Sequence, residues 1–155
     1  MDNYPEPPFP DLDIYFVFGR CGPGVGKGII CARLAQELGL THICVGDLLR
    51  AEIERYGNGC PALKPAKQAI EDGRLAPIGA IRTVLMDKLC ETKQSVVLLD
   101  GFPRSLKQME MFERYFGGAE CGLLFSCSQE TMERRVLNRS QTSNRGDDNL
   151  ETLRK

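Results

Sequence analysis

Ile14-Tyr15-Phe16-Val17-Phe18, followed after Gly19-Arg20-Cys21 by Gly22-Pro23-Gly24-Val25-Gly26-Lys27-Gly28, decides the fold of this chain. The first run is apolar and short, as a buried strand is. The second is glycine-rich and opens a helical pattern. Glycines let successive backbone N–H groups turn inward around phosphate oxygens, and the helix behind adds its positive end. Lys27 supplies a mobile point charge for the β- and γ-phosphates of a nucleoside triphosphate. Strand, loop and helix in this order predict a phosphate-binding loop. Two departures from the general pattern G-x-x-x-x-G-K-[ST] stand out. Cys21 replaces its first glycine, and Gly28 and Ile29 follow the lysine. The usual hydroxyl there touches Mg²⁺ or a phosphate oxygen, which Ile29 cannot do.

Working outward, 155 residues fit one domain, and at that size roughly two-thirds of the unfolded surface is buried on folding. A net charge of −1 gives no reason to expect nucleic acid or an anionic membrane as partner. No segment reaches the ~20 apolar residues of a membrane span. The start, Met1-Asp2-Asn3-Tyr4-Pro5-Glu6, is unlike a signal or transit peptide. Seven cysteines form no C-x-x-C pair and no zinc pattern with His42, the lone histidine. They read as reduced thiols of a cytoplasmic protein, mostly small buried hydrophobes, with Cys21 the exception beside bound phosphate.

Residues 1–12, with four prolines, read as a flexible N-terminal extension. A strand is expected at Asp13–Phe18 and a helix at Lys27–Leu38, with Ile30, Leu34 and Leu38 on its apolar face and Gly39 as its stop. A second strand is expected at His42–Val45, then a helix Leu48–Tyr56 capped by Asp47. Further helices are expected at Ala66–Glu71 and Gly79–Glu91, the latter with Ile81, Val84, Leu85 and Leu89 at helical spacing. Ser95–Leu99 reads as a buried parallel strand. A helix follows with Leu106, Met109, Phe112 and Phe116 inward, then a strand Gly122–Cys127 and a helix Gln129–Asn138 with Ser128 as N-cap. Alternating strands and helices imply an α/β fold, a parallel sheet with helices on both faces.

Asp100 ends the strand Ser95–Leu99 with a carboxylate, at the edge of the sheet where ligands sit in open α/β folds. In P-loop enzymes an aspartate there organises Mg²⁺ and its waters. Arginines occur at junctions: Arg50 after Gly46-Asp47-Leu48-Leu49, Arg104 after Gly101-Phe102-Pro103, and Arg139 and Arg145 around a polar loop. A planar guanidinium suits phosphate, and moving a phosphoryl group between polyanions needs several such charges.

Four motifs in order, Gly22-Pro23-Gly24-x-Gly26-Lys27-Gly28, Gly46-Asp47-Leu48-Leu49-Arg50, Asp100-Gly101-Phe102-Pro103-Arg104 and Thr142-Ser143-x-Arg145-x-Asp147-Asp148-Asn149, resemble the nucleoside monophosphate kinases of the adenylate kinase and UMP/CMP kinase group. The resemblance runs from Ile14 to the last residue. It implies a P-loop NTPase-type fold in residues 13–155, with a small monophosphate-binding subdomain at 46–78 and a short lid at 139–149. It implies reversible transfer from MgATP to a nucleoside monophosphate by a monomer. By matching position, Gly22, Pro23, Gly24, Val25, Gly26, Lys27, Gly28 and Arg139 would hold ATP. Val45, Arg50, Gly101, Arg104, Gln108 and Arg145 would hold the monophosphate. Lys27, Arg104, Arg139 and Arg145 would be catalytic, and Asp100 would act on Mg²⁺ through water. No general base stands out, which suits chemistry dominated by positioning and electrostatics.

Gln108 stands where adenylate members carry the glutamine that reads adenine and UMP/CMP members tend to carry asparagine, so AMP is the favoured acceptor. Val45 stands where adenylate members usually have threonine and pyrimidine members alanine, and UMP/CMP remains the alternative. In the family a further arginine, a strand and a helix follow the position of Lys155. A second expectation of another class is therefore a nucleotide-binding protein or fragment with impaired transfer, towards which Cys21 and Ile29 also point.

Overall fold

A computed structural model describes residues 9–19, 24–56, 59–61 and 63–140, apart from the side chains of 139 and 140. Four apolar runs become parallel strands: β1 (Asp13–Gly19), β2 (Thr41–Cys44), β3 (Val96–Asp100) and β4 (Cys121–Phe125). Among the described residues six helices connect or follow them: α1 (Lys27–Leu38), α2 (Val45–Tyr56), α3 (Lys64–Glu71), α4 (Ile78–Cys90), α5 (Leu106–Phe116) and α6 (Gln129–Ser140). Among the described residues the sheet order is β2-β3-β1-β4. The strand register pairs Val17 with Asp100 and Cys44 with Asp100, which brings the ends of β1, β2 and β3 to one edge. β1 is central because β3 and β4 flank it on either side, so the chain crosses over at the end of β1, where open α/β sheets bind ligands.

The two sheet faces have separate cores. On one, Ile14, Phe16, Ile43, Val97 and Leu99 meet Ile81, Leu85 and Leu89 of α4 and Met111, Phe112 and Phe116 of α5. Phe16, Phe102, Phe112 and Phe116 form a chain of rings with neighbouring centroids 5.0–5.9 Å apart, the separation at which aromatic pairs add to area burial. On the other face Val17 and Leu98 pack with Cys31 of α1. A third cluster joins Leu49 of α2, Leu63 and Ala66 at α3, and Ala80 and Val84 of α4.

Several expectations shift. β2 ends at Cys44, and α2 begins at Val45, so Asp47 lies in its first turn instead of capping it. On α1 the buried residue is Cys31, while Ile30 and Leu38 are exposed. The helix covers the sheet with a narrow stripe, because its first turn is given to the loop. On α5 the inward residues are Gln108, Met111, Phe112 and Phe116, and Leu106 and Met109 are exposed. A polar residue, Gln108, takes the inward register that Met109 was expected to fill. Cysteines are not mostly buried: Cys31 is, Cys44, Cys60 and Cys127 are half-buried, and Cys90 and Cys121 are exposed. By contrast Ile81, Val84, Leu85 and Leu89 are all buried on α4, Gly39 ends α1 in the left-handed conformation, and Ser128 Oγ accepts the Thr131 N–H at the start of α6. Within the N-terminal extension, Phe9 and Leu12 pack against the first core, Phe9 stacking on Phe116 at 6.2 Å. Among the described residues no helix is long and apolar enough to cross a membrane.

Candidate active site

Two glycines shape the loop between β1 and α1. Gly24 and Gly26 have φ of 90° and 99°, values that a side chain disfavours. A methyl group at Gly24 would lie 2.9 Å from the Met132 carbonyl oxygen, so the loop also rests against α6. Gly26 is the N-cap of α1, with no side-chain cap bond and no acidic residue in the first turn. That end of the helix keeps its positive partial charge for an anion. Val25 is buried, and Gly28 and Ile29 are exposed, Ile29 at 79 %. Lys27 reaches back along β1: a methyl group at Gly19 would lie 2.7 Å from its Nζ. Gly22, Pro23 and Cys21 lie outside the described residues, as does Arg145. Arg139 lies in the last turn of α6, and its side chain is also outside them.

Sequence reading missed Arg135. Its Nη1 donates to the carbonyl oxygens of Gly24 and Val25, both at 3.3 Å, tying α6 to the loop. The available signal was spacing: Arg135 precedes Arg139 by one helical turn and so shares its face.

Asp100, 4 % exposed, ends β3 beside this loop. A methyl group at Gly28 would lie 3.7 Å from its Oδ2, so only bare backbone separates the carboxylate from the first turn of α1. His42 Nε2 lies 3.3 Å from the same oxygen. Sequence reading missed this contact, which depends on the β2–β3 register. The Cys31 thiol nearby is pushed up to about 11, chiefly by burial and then by the Asp100 carboxylate, against the opposing effect of Lys27. Burial also raises the Cys44 thiol, as does its side-chain hydrogen bond with Asp47.

Across the edge of the sheet, two arginines converge. A methyl group at Gly46 would lie 3.5 Å from Arg50 Nη1 and 3.8 Å from Arg104 Nη2. Arg50 also pairs with Asp47 through Nη2 and Oδ1. Arg104 Nε donates to the Gly101 carbonyl oxygen at 2.9 Å, while a methyl group at Gly101 would lie 3.4 Å from its Nη2, so the guanidinium lies over the turn. That turn is built by Gly101, with φ of 73°, and anchored by Phe102, 1 % exposed. Gln108 braces it: Oε1 accepts the Arg104 N–H at 2.8 Å, and the residue is only 3 % exposed. Val45, buried, precedes Gly46 at the start of α2. Between α2 and α3 an open cleft of about 360 Å³ is lined by Arg50, Ile53, Glu54, Lys67, Ile70 and Glu71. The site therefore has two anion-attracting ends, the loop and the arginine pair, with Asp100 at the strand edge.

Comparison with known proteins agrees with this arrangement. The family described as "AAA domain" matches residues 21–154. Adenylate kinase isoenzyme 1 of Sus scrofa is 41 % identical over 145 residues, covering 92 % of this chain and 72 % of the relative. Uridylate kinase of Schizosaccharomyces pombe is 40 % identical over 147 residues, covering 92 % and 75 %. UMP-CMP kinase of Lentinula edodes is 38 % identical over 156 residues, covering 93 % and 67 %. With its loop, its paired arginines and these relatives, the chain belongs to the nucleoside monophosphate kinases, a family of phosphotransferases.

Proposed function

We propose that this chain transfers the γ-phosphoryl group of ATP to AMP, giving two ADP. The observation that carries the reading is the convergence of Arg50 and Arg104 over Gly46. Two guanidinium groups brought this close form a concentrated positive patch, of which Arg50 also pairs with Asp47. A dianionic phosphate accepting from both is the natural counter-charge. Lys27 and the start of α1 would take the donor phosphates, and Arg139 and Arg145 would meet the group in flight. Bringing donor and acceptor phosphates into line, with their charge matched by fixed cations, is most of what this chemistry requires.

The donor set fits Mg²⁺. It keeps several waters and takes one or two carboxylates plus substrate phosphates, and Asp100 offers one buried carboxylate beside the loop. When bound with ATP, Mg²⁺ neutralises developing charge on the β- and γ-phosphates. Asp100 would hold its waters, and neither Gly28 nor Ile29 supplies a hydroxyl.

AMP is favoured over UMP or CMP by Gln108. Its carbonyl is committed to Arg104, so its amide N–H₂ is the end available to an acceptor on the base. Residues 46–78 serve as the monophosphate-binding subdomain, supported by the separate cluster of Leu49, Leu63, Ala66, Ala80 and Val84. Residues 139–149 serve as the lid. The described cysteines are free thiols, in keeping with a cytoplasmic monomer. A second reading, nucleotide binding with impaired transfer, is supported by Gly28 and Ile29, neither of which supplies the hydroxyl that the general loop pattern sets directly after the lysine.

A coupled assay with ATP and each of AMP, CMP and UMP tests both. Turnover highest with AMP supports the first reading, and measurable ATP binding with zero turnover overturns it. If Gln108→Asn leaves the preference for AMP unchanged, the base-reading assignment is wrong.

A further inference from the structure

We propose that Cys31, His42 and Asp100 form a binding site for a borderline-soft divalent cation of the zinc class, and that filling it inhibits phosphoryl transfer by taking the Asp100 carboxylate. The inhibitory half rests on the role given to Asp100 above; the binding half does not.

One donor atom from each residue lies within 4.8 Å of the other two. They come from three elements, α1, β2 and β3, so the packing of α1 on the sheet assembles the group. In the β2–β3 register His42 pairs with Leu98 and Cys44 with Asp100. His42 and Asp100 therefore share the sheet face that α1 covers with Cys31. Tetrahedral zinc bonds of about 2.0–2.1 Å to nitrogen and oxygen and about 2.3 Å to sulfur put neighbouring ligands roughly 3.3–3.6 Å apart. His42 Nε2 and Asp100 Oδ2 already stand at 3.3 Å. The Cys31 sulfur needs to approach by about 1.2 Å at most to complete three corners, and water supplies a fourth.

The charges also balance. The thiol gives its proton to solvent as the metal–sulfur bond forms. Thiolate and carboxylate then neutralise a divalent ion, with imidazole neutral. Thiolate and imidazole select zinc-class ions, while Mg²⁺ prefers oxygen donors in an octahedron. The two kinds of cation would thus compete for one carboxylate, directly in one case and through water in the other. Access is past Gly28, which carries no side chain over Asp100 Oδ2.

The test uses the full chain, stripped with EDTA. Titration with Co²⁺ alone should give the visible bands of a four-coordinate ion with thiolate-to-cobalt charge transfer, at one ion per chain. Zn²⁺ affinity, read by competition with a chromophoric chelator, should fall at least tenfold in Cys31→Ser and in His42→Gln. It should not change in Cys60→Ser, which removes a thiol elsewhere. If Cys31→Ser does not fold, the partly exposed His42→Gln carries the comparison. Absent thiolate bands, or unchanged Zn²⁺ affinity in the folded variants, overturns the site. Neither readout needs turnover, so a chain that binds Co²⁺ this way but transfers no phosphate loses the kinase reading and keeps the site. Turnover unaffected by Zn²⁺ at full occupancy overturns the inhibitory half.

Discussion

Replacing Arg104 by alanine should remove the acceptor phosphate's grip while leaving the fold intact. Arg104 Nε is already spent on the Gly101 carbonyl, and its Nη2 lies 3.8 Å from a methyl position over Gly46. Two Nη donors thus remain for phosphate. A hydrogen bond to a charged group contributes about 1.5–3 kcal/mol. Because Arg104 is exposed in the absence of ligand, the lower figure applies, and two bonds come to about 3 kcal/mol. That corresponds to a loss of roughly 150-fold in monophosphate affinity. Titration calorimetry with AMP measures it directly and needs no turnover; steady-state kcat/KM for AMP should fall at least as far. ATP affinity should stay within about twofold, and stability within about 0.5 kcal/mol, as for an exposed side chain. Arg104→Lys should restore only part of the loss, because an ammonium keeps the charge and lacks the planar fork. A loss below about tenfold in Arg104→Ala, with Tm unchanged, would refute the claim that the converging arginines hold the acceptor.

Phe112→Ala should destabilise the chain by about 3–5 kcal/mol, because Phe112 is fully buried and its ring lies 5.0 Å from those of both Phe16 and Phe116; urea unfolding showing less than about 2 kcal/mol contradicts that packing. Gly24→Ala should weaken ATP binding at least tenfold, since φ of 90° and a 2.9 Å approach to the Met132 carbonyl force the loop away from α6; unchanged affinity by nucleotide titration argues against a rigid loop. Among the described cysteines, iodoacetamide at pH 8 should label Cys90 and Cys121 first and Cys31 last. The Cys31 thiol is raised to about 11, so about 0.1 % of it is thiolate at pH 8, and labelling should accelerate as pH rises. Peptide mapping by mass spectrometry that finds Cys31 among the earliest sites contradicts its burial.

What could be read without the structure follows the range of the physics involved. The α4 face was legible because Ile81, Val84, Leu85 and Leu89 obey one period and nothing else constrains them. The first turns of α1 and α5 were not, because both helices start at the site. In α1 the first turn serves the loop, so Ile29 and Ile30 stay exposed. In α5 Phe112 and Phe116 are buried as expected, but near its start Gln108 is buried to brace Arg104 and Leu106 and Met109 are exposed. Functional demands broke the local pattern at these two places, and both breaks adjoin a residue assigned a role by its motif. Contacts between distant segments were beyond sequence reading altogether. Arg135 reaches Gly24 across 111 positions, and His42 reaches Asp100 across 58; neither contact leaves a periodic trace. The second has a consequence for the chemistry. The aspartate proposed to act on Mg²⁺ through water is also the neighbour of an imidazole and a thiol, a donor set that suits a softer cation. The strand edge proposed to present Asp100 to MgATP also places it within reach of the zinc-class site proposed above. A chain that kept Asp100 and lost Cys31 or His42 should retain its nucleotide chemistry and shed that sensitivity.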